Sequence, residues 1–287
     1  MAEAFRRPLG VFLQGGGALG AWQAAALEAL DGAGLRFDAV MGYSIGVVNG
    51  AALAFGRLPE ALAHWRRLDG HVLEFSPRLK PFGLFSPEPL RSFFDAERDD
   101  SAARAALKTD LTMVAACPDD GAAVNARFTP GGRGGWDGPL VEFAAASCAI
   151  PWVFPAVRLE YRGRRVRLID GGVPMRAGLD LTPLSRCADI LVLEMVRADE
   201  RGRHELLPWR AFDQGAREKG RFLVDEGLAG LLRGGDGPPP RVFRVAPSRR
   251  LEPTMLDFRA AGLSRLLDQG GADARAFLAE AARWRVL

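Results

Sequence analysis

Short apolar runs alternate with helix-period segments along the first two thirds of the chain. Residues 11–14 (Val-Phe-Leu-Gln) read as a strand, and residues 22–30 as a helix whose apolar content is Ala25, Leu27, Ala29 and Leu30. A second short buried strand is expected at 37–41 and a helix at 47–54, with a further helical stretch at 61–68. Strands follow at 112–117, at 165–169, where Val166 and Leu168 mark the apolar face, and at 190–194. This rhythm predicts an α/β fold with a mostly parallel sheet. Residues 74–94 break it, with Pro77, Pro81, Pro87 and Pro89 set among five phenylalanines, and read as a loop with short helices packed onto the core. The glycine-rich stretch 131–138 reads as a turn and 234–240 as a break, with a late strand at 242–245. From 254 to 284 the pattern is helical, and Gly270-Gly271 is expected to separate two helices. The organisation that follows is a catalytic domain over residues 1–200 and a mainly helical extension, 201–287, packed on it.

Composition narrows the class. A chain of 287 residues that is 48% hydrophobic can bury a sizeable core, yet no apolar run approaches the roughly 20 residues that span a bilayer. The first ten residues lead through two arginines into a short strand and then glycines, a pattern unlike a signal peptide. Cys117, Cys148 and Cys187 are few, odd in number and far apart, which fits free thiols in a reducing cytoplasm. The net charge of +3 is compatible with peripheral contact at an anionic membrane, and the arginines are interspersed with acids, which argues against a nucleic-acid groove.

The chemistry concentrates in two glycine-rich turns. Gly42-Tyr43-Ser44-Ile45-Gly46 lies between a strand and a helix, the arrangement that lifts a serine hydroxyl out of the fold on a sharp turn and sets it at a helix N-terminus. Gly15-Gly16-Gly17-Ala18-Leu19-Gly20 follows the first strand and matches G-x-G-x-x-G, whose backbone N–H groups can cradle a pyrophosphate or a transient oxyanion. A dinucleotide site needs an acid at the end of the second strand, and Asp38 stands at its start. An oxyanion hole beside a nucleophile accounts for both motifs with one site.

A serine nucleophile needs a base. Of His64, His71 and His204, each reads as a surface residue, and only His204 falls in the chain order serine, acid, histidine. Asp170, in Asp170-Gly171-Gly172 at the end of a strand, can act directly if it reaches the serine hydroxyl. The intervening segment Ala144-Ala145-Ala146-Ser147-Cys148-Ala149-Ile150-Pro151-Trp152-Val153-Phe154-Pro155 supplies small residues for close packing and then two prolines that fix a bend.

These four segments, in this order, resemble the patatin-like phospholipase family. The resemblance implies a three-layer α/β/α fold and a Ser–Asp dyad without histidine, with Ser44 as nucleophile and Asp170 as base. It implies an oxyanion hole from the N–H groups around Gly15, Gly16 and Gly17, with Gly20, Gly42, Gly46, Gly171 and Gly172 as motif glycines. It further implies hydrolysis of a lipid or other ester through an acyl-enzyme, with no metal or organic cofactor. Two alternatives stand beside it: acyl transfer from the same acyl-enzyme, and a non-catalytic lipid-binding scaffold. Leu19 departs from many family members, which carry Arg or Lys there, and this bears on head-group recognition and not on acyl chemistry. The sequence does not define an oligomeric state.

Overall fold

The computed structural model describes residues 4–68, 74–79, 82–132, 134–173, 176, 178–200, 205–234 and 237–281. In chain order its elements are β1 (Leu9–Leu13), α1 (Gly20–Gly32), β2 (Ala39–Tyr43), α2 (Ile45–Phe55), α3 (Leu58–Arg67), β3 (Phe75–Leu79), β4 (Phe82–Phe85), α4 (Glu88–Phe93), α5 (Asp100–Ala106), β5 (Asp110–Cys117), β6 (Ala122–Phe128) and α6 (Leu140–Ser147). They continue with β7 (Val157–Tyr161), β8 (Arg164–Asp170), β9 (Asp189–Leu193), α7 (Pro208–Arg233), β10 (Arg241–Val245) and α8 (Ala260–Ala281).

Eight strands form one sheet in the order β10-β9-β1-β2-β5-β8-β7, with β6 also paired to β5. The run from β10 to β5 is parallel throughout, and β6, β7 and β8 add antiparallel pairings at the far side. The parallel strands are buried on both faces, so β1, β2 and β9 read as unbroken apolar runs and not as alternations. One face carries α1, α2, α3, α6 and α8 over the larger core cluster, around Trp22, Leu27, Val47 and Leu266. The other face carries α7, whose Val224, Leu228 and Leu231 pack on Phe12, Met41, Tyr43 and Val192. The result is an α/β/α arrangement about a mostly parallel sheet. Among the described residues no helix is long and apolar enough to cross a membrane. All three cysteines are buried and free.

Residues beyond 200 enter this same architecture. They place β10 at the sheet edge, α7 on one face and α8 against α1 on the other.

Two expectations need correction. Residues 74–94 contain the antiparallel hairpin β3–β4 before the short helix α4, because Gly83 lets the hairpin lie directly on the backbone of Phe154 and Pro155. Of its phenylalanines, Phe94 is buried, whereas Phe75 and Phe82 face solvent. Gly270-Gly271 does not divide the C-terminal pattern either, since α8 runs unbroken through both. Gly270 is where α8 crosses α1, and a Cβ there would run into the Trp22 carbonyl oxygen. The glycine thus buys close helix packing and not a turn. Gly270→Ala is expected to lower stability by about 1–3 kcal/mol through overpacking against backbone that cannot swing aside. A denaturant titration that leaves the unfolding midpoint unchanged would show that α1 and α8 can separate without loss.

Candidate active site

β5 brings the serine and the aspartate together. β2 pairs in parallel with its first half, ending at Tyr43 opposite Val114. β8 pairs antiparallel with the next residues of the same edge, ending with Asp170 opposite Ala115. The two strands therefore meet end to end, and Ser44 and Gly171, the residues that follow them, turn out at the junction. Gly171 has no room for a side chain there, since a Cβ would strike the Val114 carbonyl and crowd the Tyr43 Cβ.

Ser44 sits at the N-cap of α2 with φ 55° and ψ −134°, a strained conformation for a residue with a Cβ. Its backbone is held by Ser147, whose carbonyl and hydroxyl oxygens both accept the Ser44 N–H, at 3.1 and 2.9 Å. The Ser147 hydroxyl in turn donates to the Val114 carbonyl at 2.5 Å, and its carbonyl accepts the Gly171 N–H at 3.3 Å. Ser147 is thus a fastener between the turn, β5 and the aspartate's strand. It was visible in the sequence only as one small residue in a packed segment. Gly46 and Gly42 allow the turn to press on β1, since a Cβ on Gly46 would overlap the Leu13 carbonyl and one on Gly42 would lie 3.0 Å from it.

Asp170 is buried. One carboxylate oxygen, Oδ1, accepts the Gly172 N–H at 2.7 Å, while Oδ2 has no hydrogen-bond partner among the described residues. Burial raises this carboxyl from the ordinary 3.8 to about 6, against the opposing pull of the Ser44 hydroxyl and the Gly172 N–H. Cys148, also buried near this charge, has its thiol pushed well above its usual range by burial and by Asp170, so it stays protonated. Tyr43 is raised by burial first and Asp170 second, and its ring fills the space that Gly15 and Gly172 leave open, with a Cβ on either falling within 2.8 Å of the ring.

The glycine segment wraps the other side of the junction. A Cβ on Gly15 would lie 2.7 Å from the Ser44 Cβ. Gly17 has φ +54° and lies directly on the Met255 carbonyl, a place only glycine fills. Gly20 packs on Ile45, beside the serine turn. The N–H groups of Gly16 and Gly17 donate to no acceptor among the described residues, whereas the Ala18 N–H is already taken by the Met255 carbonyl at 2.7 Å. Leu19 is fully buried in the core and presents no cation.

Two buried polar networks fix this segment. In one, Gln14 accepts the Met195 N–H through its side chain and the Gln23 amide through its carbonyl. Asn49 of α2 donates to Gln23 Oε1 and to the Gly20 carbonyl and accepts from Trp65 Nε1. In the other, Asp213 on α7 accepts the Met255 N–H at 2.6 Å and Arg217 Nε at 2.7 Å, and Arg217 donates to the Pro253 carbonyl. Helix α7 thereby holds the strip of chain against which Gly17 and Ala18 rest. Most members of the two networks are distant in sequence, up to 181 and 42 residues apart, and the Asp213–Arg217 pair on α7 is the local exception.

His64 lies on α3 with its ring edge-on to Phe93, and burial together with Arg67 lowers its affinity for a proton. His71 and His204 lie outside the described residues. Among the described residues, no group of three or more His, Cys, Asp or Glu side chains could hold a metal ion.

No curated protein matches the chain in sequence. Among solved structures it is similar to VipD from Legionella pneumophila at 12% identity and a TM-score of 0.49, covering 96% of this chain and 67% of that one. It is similar to human GIVD cytosolic phospholipase A2 at 12% identity and a TM-score of 0.47, covering 97% and 62%. The type III effector protein ExoU gives 14% identity and a TM-score of 0.43, covering 96% and 54%. All three are longer chains. The sequence model for patatin-like phospholipases matches residues 11–180, a span that starts in β1 and takes in the glycine segment, the serine turn and Asp170-Gly171-Gly172. With more than half of its length under that one model, the chain belongs to the patatin-like phospholipase family.

Proposed function

We propose that the protein is a serine lipid acyl hydrolase working through a Ser44–Asp170 dyad. The observation that carries this is the meeting of a strained serine at a helix N-terminus with a buried carboxyl whose Oδ2 has no hydrogen-bond partner among the described residues. Family membership supports the substrate class. Asp170 takes the hydroxyl proton as Ser44 Oγ attacks the acyl carbonyl. The tetrahedral oxyanion is stabilised by the N–H groups of the Gly15–Gly17 turn and by the α2 N-terminus; one such donor is worth about 10²–10³ in rate. Collapse expels the alcohol, which leaves with the proton from Asp170. Water then attacks the acyl-enzyme, gives a proton to Asp170, and the acid departs as Ser44 recovers its proton.

The raised carboxyl suits this role, being a stronger base than an ordinary aspartate and still ionised at neutral pH. Hydrolysis of a soluble short-chain ester should therefore lose kcat/KM as pH falls through about 6, where an ordinary carboxylate would hold its rate down to about 4. A fluorophosphonate probe should add to Ser44 alone, read by peptide mass spectrometry. An adduct on another residue, or none, would reject the dyad.

A further inference from the structure

We propose that the end of the sheet carrying Ser44 is a docking face for a lipid–water interface; this rests on the acyl-hydrolase reading and names the physical form in which substrate is met. Most of the large apolar side chains exposed among the described residues fall in two ridges at this end, each tied to one half of the site, with Phe222 and Leu232 further along α7 outside them.

The first ridge is the β3–β4 hairpin together with Trp152. Phe75, Leu79 and Phe82 are exposed on the hairpin, Leu79 at 86%. The Phe82 ring meets the Trp152 ring edge-on at 5.6 Å, and the Leu84 and Phe85 N–H groups donate to the carbonyls of Trp152 and Val153. That loop directly follows Ser147 and Ala149, which bond to Ser44 and to Asp170. Trp152 is 74% exposed and adopts φ +74°. A bulky residue in the left-handed region costs stability, and an exposed indole recovers none of it from the core. Both costs make sense if the ring is buried against something outside the molecule.

The second ridge is the start of α7. Leu206, Trp209 and Phe212 are exposed there, Phe212 at 75%, and Leu256, next in sequence to Met255, is exposed too. It joins the glycine segment through Asp213, Met255 and Ala18. Gly220 of α7 lies beside the Tyr43 hydroxyl and the Gln14 amide, and Asp213 two turns earlier accepts the Met255 N–H beside Gly17, so the start of α7 lies at the Ser44 end of the sheet. Arg210, exposed between Trp209 and Phe212, has no ion pair among the described residues.

The opposite end of the sheet is built differently. It is a cleft of about 1010 Å³ bordered by Arg7, Arg36, Asp38, Lys108, Asp110 and Arg186, several of them ion-paired. The catalytic end thus carries exposed aromatic ridges alongside ion pairs such as Arg197–Asp199 and Arg250–Glu205, while the other end is bordered by charged side chains. Aromatic and aliphatic side chains with a free cation among them are the chemistry that seats a protein in the headgroup region of an anionic bilayer. A second copy of the chain would bury the ridges equally well, but it would also cover the mouth through which an acyl ester must enter.

The test uses full-length Ser44→Ala protein, which cannot digest the probe, and vesicles of phosphatidylcholine with phosphatidylglycerol. Cosedimentation should show binding that strengthens with phosphatidylglycerol content. Trp209→Ala with Phe212→Ala, and separately Phe75→Ala with Leu79→Ala, should each weaken it about tenfold or more, two apolar side chains being withdrawn from the interface. In the Ser44 background the same pairs should hydrolyse a soluble short-chain ester at the unmodified rate. Vesicle binding that is absent, or unchanged in both paired variants, overturns the docking face. So does a dimer in analytical ultracentrifugation that the paired variants dissociate. Failure of Ser44 to react with a fluorophosphonate would instead reject the chemistry, and vesicle binding would still report on the face independently.

Discussion

Asp170→Asn will melt at a higher temperature than the unmodified protein above pH 6 while turning over about 10³-fold more slowly or worse. Both effects come from the same burial. In the unfolded chain this carboxyl titrates at its ordinary 3.8, and in the folded protein at about 6. The folded state binds the proton more tightly, so stability is fully present below 3.8, falls as pH rises through that window, and has lost its full share above 6. At 1.36 kcal/mol per unit the ionised carboxylate costs roughly 2–3 kcal/mol at neutral pH. Asparagine has the same shape, can keep the Gly172 N–H on its oxygen, and carries no charge to desolvate. It also cannot take a proton from Ser44. The melting advantage should therefore shrink to nothing near pH 4. An advantage equal at pH 4 and pH 8 would mean that packing and not charge sets it, and an active Asp170→Asn enzyme would mean that the base is elsewhere.

Ser44→Ala should abolish ester hydrolysis and fluorophosphonate labelling together, with a loss of about 10⁴-fold or more. The fold should survive. The bonds that Ser44 makes to Ser147 come from its backbone N–H, which alanine retains, and the φ of 55° is equally awkward for both residues. What changes is the environment of Asp170, which loses the hydroxyl that eased its burial as an anion and should titrate higher still. Circular dichroism and the melting curve check the fold, and residual labelling would place the nucleophile elsewhere.

The sequence disclosed the parts whose signals are local. β1, β2 and the serine turn announce themselves because a both-faces-buried strand is an apolar run and a tight turn needs glycine. The family's four segments are legible for the same reason. Fully hidden were features made by contact between distant segments. α7 falls in the stretch expected to be mainly helical, but nothing local shows that its buried Asp213 and Arg217 hold the Met255 strip. Ser147, Gln14 and Asn49 are ordinary polar residues until the fold buries them against backbone groups that need partners. The misread Gly270 shows the limit most clearly. Gly270 looks like a break, yet it marks a place where one backbone touches another, and that distinction is invisible until the second segment is known.

The end-to-end abutment of β2 and β8 makes β5 a gauge. The gap between Ser44 and Asp170, the proposed nucleophile and base, is set by two neighbouring residues of one strand, Val114 and Ala115, and not by the reach of flexible side chains. Loops around the mouth can therefore be lengthened, emptied or made greasy without retuning the chemistry. A slip of β8 by one residue would move Asp170 about 3.3 Å along the gauge and turn it to the other face of the sheet. Such a slip exceeds what a hydrogen bond tolerates. Variation in this catalyst is thus free at its rim and quantised at its centre.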